Sequence, residues 1–80
     1  MLYYTHVSPS VFDAIRSGVR TSIPVALDDV FLGDDVCFKE VNLNNGFTNC
    51  FVVVTVTGVQ YGLDPEFPIE ISWQSPKKGK

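Results

Sequence analysis

Ser8 and Gly18 bracket a segment that reads as one short helix, and this helix constrains the fold more than any other stretch of the chain. Ser8 can cap the first free amides, and Pro9 suits the first helical position because its missing N–H would find no partner there. Val11, Phe12 and Ile15 recur on one side at helical spacing, with Asp13 and Arg16 on the other. Gly18 supplies the left-handed residue that commonly ends such a helix. A helix of two to three turns is marginal alone, so it must dock an apolar side on something else.

The remaining sequence predicts that this partner is a β-sheet. Thr21 to Val25 reads extended, with Pro24 confining it to an edge or a strand end. Asp28-Asp29 marks a turn, Val36 to Leu43 a strand, and Asn44-Asn45-Gly46 a hairpin. Phe47 to Val59 then reads as one long return strand. Phe51 to Val56 is apolar on both faces, which predicts a central position. Gly58 and Gly62 flank a bend at Tyr61, Asp64-Pro65-Glu66 is a turn, and Phe67 to Trp73 is a final strand. One principal helix near residues 9–17 with four or five mostly antiparallel strands predicts a small α+β domain, twisted and barrel-like.

Eighty residues make one domain, and a chain this short buries only about 60–65% of its unfolded surface. The sequence is 45% hydrophobic and 19% charged, a globular rather than a disordered balance. No apolar run approaches the roughly 20 residues of a membrane-spanning helix, and the first residues lack the basic start of a signal peptide. The expectation is a soluble cytoplasmic domain over residues 1–76, without membrane association, followed by a basic disordered tail over 77–80.

Cys37 and Cys50 are too few for a disulfide framework, and His6 is the only histidine, so no metal site is expected. A two-residue hairpin turn would set Cys50 opposite Val41. Cys37 would then lie roughly 13 Å away along the strand, out of reach of a bridge. Two reduced thiols are expected.

Charge is unevenly spread. The formal net charge is −3, but Lys77, Lys78 and Lys80 sit in the tail. Residues 1–76 carry three basic side chains against nine acidic ones, a net −6. Such a body tracks a phosphate backbone poorly, so any nucleic-acid role must use a small local pocket or the tail. The short tail itself reads as a solvated, frayed terminus.

Several motifs now fall into order. Pro9-x-x-Phe12, Ile15-x-Ser17-Gly18-x-Arg20-Thr21, and Phe31-x-Gly33-Asp34 before a strand resemble the ASCH domains of the PUA-like superfamily. Tyr61-Gly62-Leu63 and Ile69-Glu70-Ile71 stand in matching places of the short bacterial and phage branch catalogued as domain of unknown function 3850. The resemblance runs from about residue 5 to 73. It implies a twisted β-barrel with the helix beside its open edge. It also implies binding of RNA or a nucleotide in the cleft by the helix end, at Arg20, Thr21 and Ser22. One ASCH branch hydrolyses acetylated cytidine, using a lysine and a threonine after the glycine. Here Arg20 stands at the lysine position, Thr21 at the threonine, and the later arginine position reads Val25.

That departure is chemical. A desolvated lysine can shed its proton and act as base or nucleophile, whereas arginine stays protonated. Arg20 can clamp a phosphate or carbonyl but cannot replace that lysine. No catalytic residue and no cofactor is therefore expected, and the chain leans away from being an enzyme. Asp34 is expected to shape its turn through its side-chain acceptor, and the paired aspartates to be solvated turns rather than a cation site. His6 is expected to be structural, and Trp73 and Tyr61 either to stack on a base or to cover the barrel's end. The leading function is a noncatalytic module for RNA or a nucleotide. A protein-interaction or inhibitor module is the alternative, and a residual amidohydrolase acting on a modified nucleoside the second.

Overall fold

The computed structural model describes residues 2–27, 29–44, 46–62, 65–76 and 78–79. In chain order the elements are β1 (Leu2–Val7), α1 (Pro9–Arg16), β2 (Ser22–Val25), β3 (Asp35–Asn42), β4 (Gly46–Thr55), β5 (Gly58–Tyr61), β6 (Ile69–Ser72) and β7 (Lys78–Gly79). The first sheet runs β1-β3-β4-β7 and the second β2-β6-β5. β1 pairs in parallel with β3, and the other pairings are antiparallel. The expected α+β, strand-rich architecture is present, but among the described residues the strands divide between two sheets and form no closed barrel.

The helix forms as its residues dictate. The Ser8 side chain accepts from the Val11 amide, Pro9 opens the first turn, and the Ser17 amide donates to the Asp13 carbonyl. Asp13 and Arg16 pair on the exposed side. Phe12 and Ile15 are buried and enter the core shared by the two sheets. Val36, Phe38, Val52 and Val54 meet them from the first sheet, and Val25, Ile69 and Ile71 from the second. Fully burying a side chain of this kind contributes about 1.5–3 kcal/mol relative to leaving it exposed. Trp73 is also buried and meets Phe38 at 5.4 Å between ring centroids, tilted by 47°. Pro24 lies on β2, an edge strand, where its missing N–H costs no ladder bond.

Three expectations are corrected. The long return strand is two strands in different sheets. Between them the Val56 amide donates to the Asp34 carbonyl, the Gly33 amide to the Val56 carbonyl, and the Thr57 amide to the Ser72 carbonyl. Those bonds turn the chain out of the first sheet and into the second.

The hairpin register also differs. Asn42 stands opposite Gly46 and Val41 opposite Phe47, so Cys50 does not face Val41. The Asn44 amide donates to Asn42 Oδ1 at 2.8 Å, and Gly46 takes a positive φ of 73°, which fits a loop longer than two residues. Asn45, within the expected turn, lies outside the described residues. So do Asp28, Leu63 and Asp64 of the other expected turns and motifs, and Lys77 and Lys80 of the tail. Cys37 and Cys50 are both free thiols.

The tail supplies the third correction. Lys78 and Gly79 pair with Val53 and Val52, continuing the sheet where a frayed end was expected. β4 thereby lies between β3 and β7, the central position that its apolar run predicts.

Candidate functional site

The helix end places Arg20. Gly18 adopts φ +85°, a conformation that side chains beyond hydrogen rarely take. The chain folds back, so that the Gly18 amide donates to the Ile15 carbonyl and the Arg20 amide to the Ala14 carbonyl. The guanidinium is exposed, and its Nε donates to the Ser22 carbonyl at 2.9 Å. The backbone therefore holds this cation at the start of β2.

Beyond Arg20 lies a polar groove of about 610 Å³. Thr21, Ser22, Gly58, Gln60, Glu70 and Ser72 line it, together with Val59. Strand alternation explains this lining. Ser22, Ser72 and Gly58 form one row across the second sheet, and Pro24, Glu70 and Gln60 form the next row. Alternating with these rows, Ile71 and Ile69 turn to the core and are buried. The Thr21 carbonyl accepts from the Trp73 amide at 2.9 Å, which fastens the groove's entrance to the end of β6.

Thr21 and Ser22 thus share one groove, and Arg20 is tied to it through the Ser22 carbonyl. Gln60, Glu70 and Ser72 were not singled out by the sequence reading. The alternation Ile69-Glu70-Ile71-Ser72 marks Glu70 and Ser72 as facing away from the core, but only the β2–β6 pairing brings them beside Ser22. Chemically the groove offers hydroxyls, an amide and one carboxylate, and the Arg20 cation is bonded to the backbone of one of its lining residues, Ser22. Such a set can meet a ligand that has both donors and acceptors on its edges.

The other singled-out residues have structural explanations. Asp34 Oδ2 accepts from the Phe31 amide at 3.0 Å, and this bond holds its carboxyl below the usual carboxylate range. It shapes the turn, as expected. Trp73 lies in the core, whereas Tyr61 is exposed and does not cover the domain's end. Among the described residues no group of three or more His, Cys, Asp or Glu side chains is placed to hold a metal ion. None of their helices is long and apolar enough to cross a membrane.

Compared with known proteins, the chain matches no family model, no curated protein and no solved structure.

Proposed function

We propose that this chain is a small noncatalytic binding module of PUA-like, ASCH type, holding a nucleotide or a short RNA segment in the groove beside Arg20. One observation carries the reading: Arg20 Nε is bonded to the backbone carbonyl of Ser22, and Ser22 lines a groove whose wall includes a single carboxylate, Glu70. Arginine donates charge-assisted bonds to a phosphate or base carbonyl. A carboxylate accepts from an exocyclic amino group of a base. Thr21, Ser22, Ser72 and Gln60 supply hydroxyl and amide partners for a ribose. With arginine where the hydrolytic relatives have lysine, the site binds and orients without supplying a base.

Amide NMR titration with cytidine and adenosine monophosphates tests this reading. The expected result is shifts clustered at residues 20–22, 58–60 and 70–72 that vanish in Arg20→Ala. Glu70→Gln is expected to weaken binding of the amino-bearing bases more than of uridine monophosphate. An absence of shifts at those positions overturns the reading.

A second reading, a protein-interaction module, is favoured by the Phe31–Asp34 turn. Phe31 and Leu32 are 63% and 66% exposed there, although the Phe31 amide donates to Asp34 Oδ2 and the Gly33 amide to the Val56 carbonyl, which fixes the turn. A preorganised pair of exposed apolar side chains suits a partner's pocket.

A further inference from the structure

The outer face of the first sheet has a different character from the acidic body. β1, β3 and β4 align two rows on it. Tyr4, Cys37 and Val53 form one row, which the backbone register extends to Lys78 on β7. His6, Lys39 and Phe51 form the other. Tyr4 is 57% exposed, and Lys39 Nζ sits 5.0 Å from the centre of its ring. Of the nine acidic residues in the chain, only Asp35 and Glu40 belong to these strands. Asp35 accepts from Thr55 Oγ1 at the far end of the sheet.

At its other end this face opens into a cleft of about 500 Å³, lined by His6, Lys39, Glu40, Asn49, Cys50 and Phe51. A β-bulge builds the cleft. Lys39 pairs with Phe51 and Val41 with Phe47, so three residues of β4 oppose Glu40 alone. Asn49 takes φ +64° within the bulge, the only described non-glycine residue at positive φ. Thr48 Oγ1 donates to Glu40 Oε1 at 2.6 Å and accepts from the Cys50 amide, which pins the bulge and one wall of the cleft. Bulges of this kind re-aim side chains and recur beside binding sites.

We propose that this face is a platform for single-stranded RNA, with a base entering the bulge cleft and a neighbouring base stacking on Tyr4. The occupant follows from charge and shape together. An exposed aromatic ring beside a cation on a sheet suits a single strand, because every base offers a π-face to stack on it. Lys39 provides a phosphate partner beside the Tyr4 ring. The Asn49 amide and the Glu40 carboxylate offer base-edge partners in the cleft. An acidic partner protein would gain from Lys39 but has no use for a base-sized cleft. This proposal rests on the nucleic-acid reading above, but it uses residues on the other sheet.

A uridine octamer and cytidine monophosphate, each titrated into labelled protein, separate the two sites. The octamer is expected to shift residues 4–6, 37–41 and 49–53. Tyr4→Ser, at an exposed position, is expected to weaken octamer binding about tenfold. Lys39→Ala should lower the slope of log affinity against log salt by about 0.7, the contribution of one phosphate contact on a single strand, and Lys39→Arg should restore it. Monophosphate shifts at residues 20–22 should persist in both variants. Octamer shifts confined to the Arg20 groove, or octamer binding unchanged in Tyr4→Ser and Lys39→Ala, overturn the platform while leaving the groove standing. An absence of shifts with either ligand overturns both.

Discussion

Gly58 and Ser72 face each other so closely across the β5–β6 pairing that a Cβ at position 58 would lie 2.5 Å from Ser72 Oγ. The hydroxyl therefore occupies the space a side chain would fill, and it does so in the wall of the candidate groove. Glycine at this position sets the groove's width.

Replacing Gly58 by alanine is expected to turn the Ser72 hydroxyl into another rotamer and narrow the groove. Stability should change by less than about 1 kcal/mol, since the entropy gained from removing a glycine, about 0.4–1 kcal/mol, offsets the displaced hydroxyl. Nucleotide affinity should fall about tenfold, equivalent to about 1.4 kcal/mol. Thermal melting alongside calorimetric titration checks both halves. A large stability loss would show that Ser72 cannot rotate.

Phe12 is buried with Ile15 in the core to which both sheets contribute, and the helix packs on β3 and β4 of the first sheet. Its truncation to alanine is expected to cost about 3–5 kcal/mol, a large share of the roughly 5–15 kcal/mol that stabilises most domains. Urea unfolding measures it. A midpoint near that of the parent would mean that Phe12 does not anchor the helix on the sheet.

Asp34 gives a pH signature. The Phe31 amide lowers its carboxyl from the ordinary value of 3.8. A carboxyl with a depressed folded value stabilises the fold fully above the ordinary value, and this contribution is lost as pH falls through the lowered one. Asp34→Asn keeps an acceptor but loses the charge, so parent and variant should differ in stability at neutral pH and converge in acid. Unfolding curves between pH 7 and pH 2 test the sign. A gap that widens in acid would contradict it.

The two thiols should behave differently. Cys37 is only 4% exposed, and burial pushes its thiol above the usual range, whereas Cys50 is half-buried in the bulge cleft. Alkylation of the native protein is expected to modify Cys50 first and Cys37 only after unfolding, as peptide mass spectrometry would show. Equal rates at the two positions would contradict this burial.

The helix, its glycine stop and the extended segments were legible because each is encoded within a few residues. Ser8, Pro9, Phe12 and Gly18 act on their immediate neighbours. Pairing across the chain was not legible. Nothing near Val56 announces that Asp34 and Gly33 will bind its backbone and divide the return strand. Leu2 to Val7 becomes a strand largely because β3 offers it a parallel edge, a partner about thirty residues away. The groove was half visible for the same reason: Arg20, Thr21 and Ser22 are neighbours in sequence, whereas Glu70 and Ser72 reach them only through the β2–β6 ladder. The bulge at Asn49 carries no local signal beyond asparagine's tolerance of positive φ.

The parallel pairing of β1 with β3 carries a consequence for how the molecule assembles. β3 and β4 are joined by a short turn and can meet early, at little entropic cost. β1 reaches β3 only across α1 and β2, and β2 itself is held by β6, far along the chain. Parallel pairings of this kind are intrinsically slow to form. The chain's first strand is thus among the last to be seated, and Tyr4 and His6 gain their neighbours only then. Slow refolding, with the β3–β4 hairpin protected from hydrogen exchange before β1, is the kinetic mark of this topology.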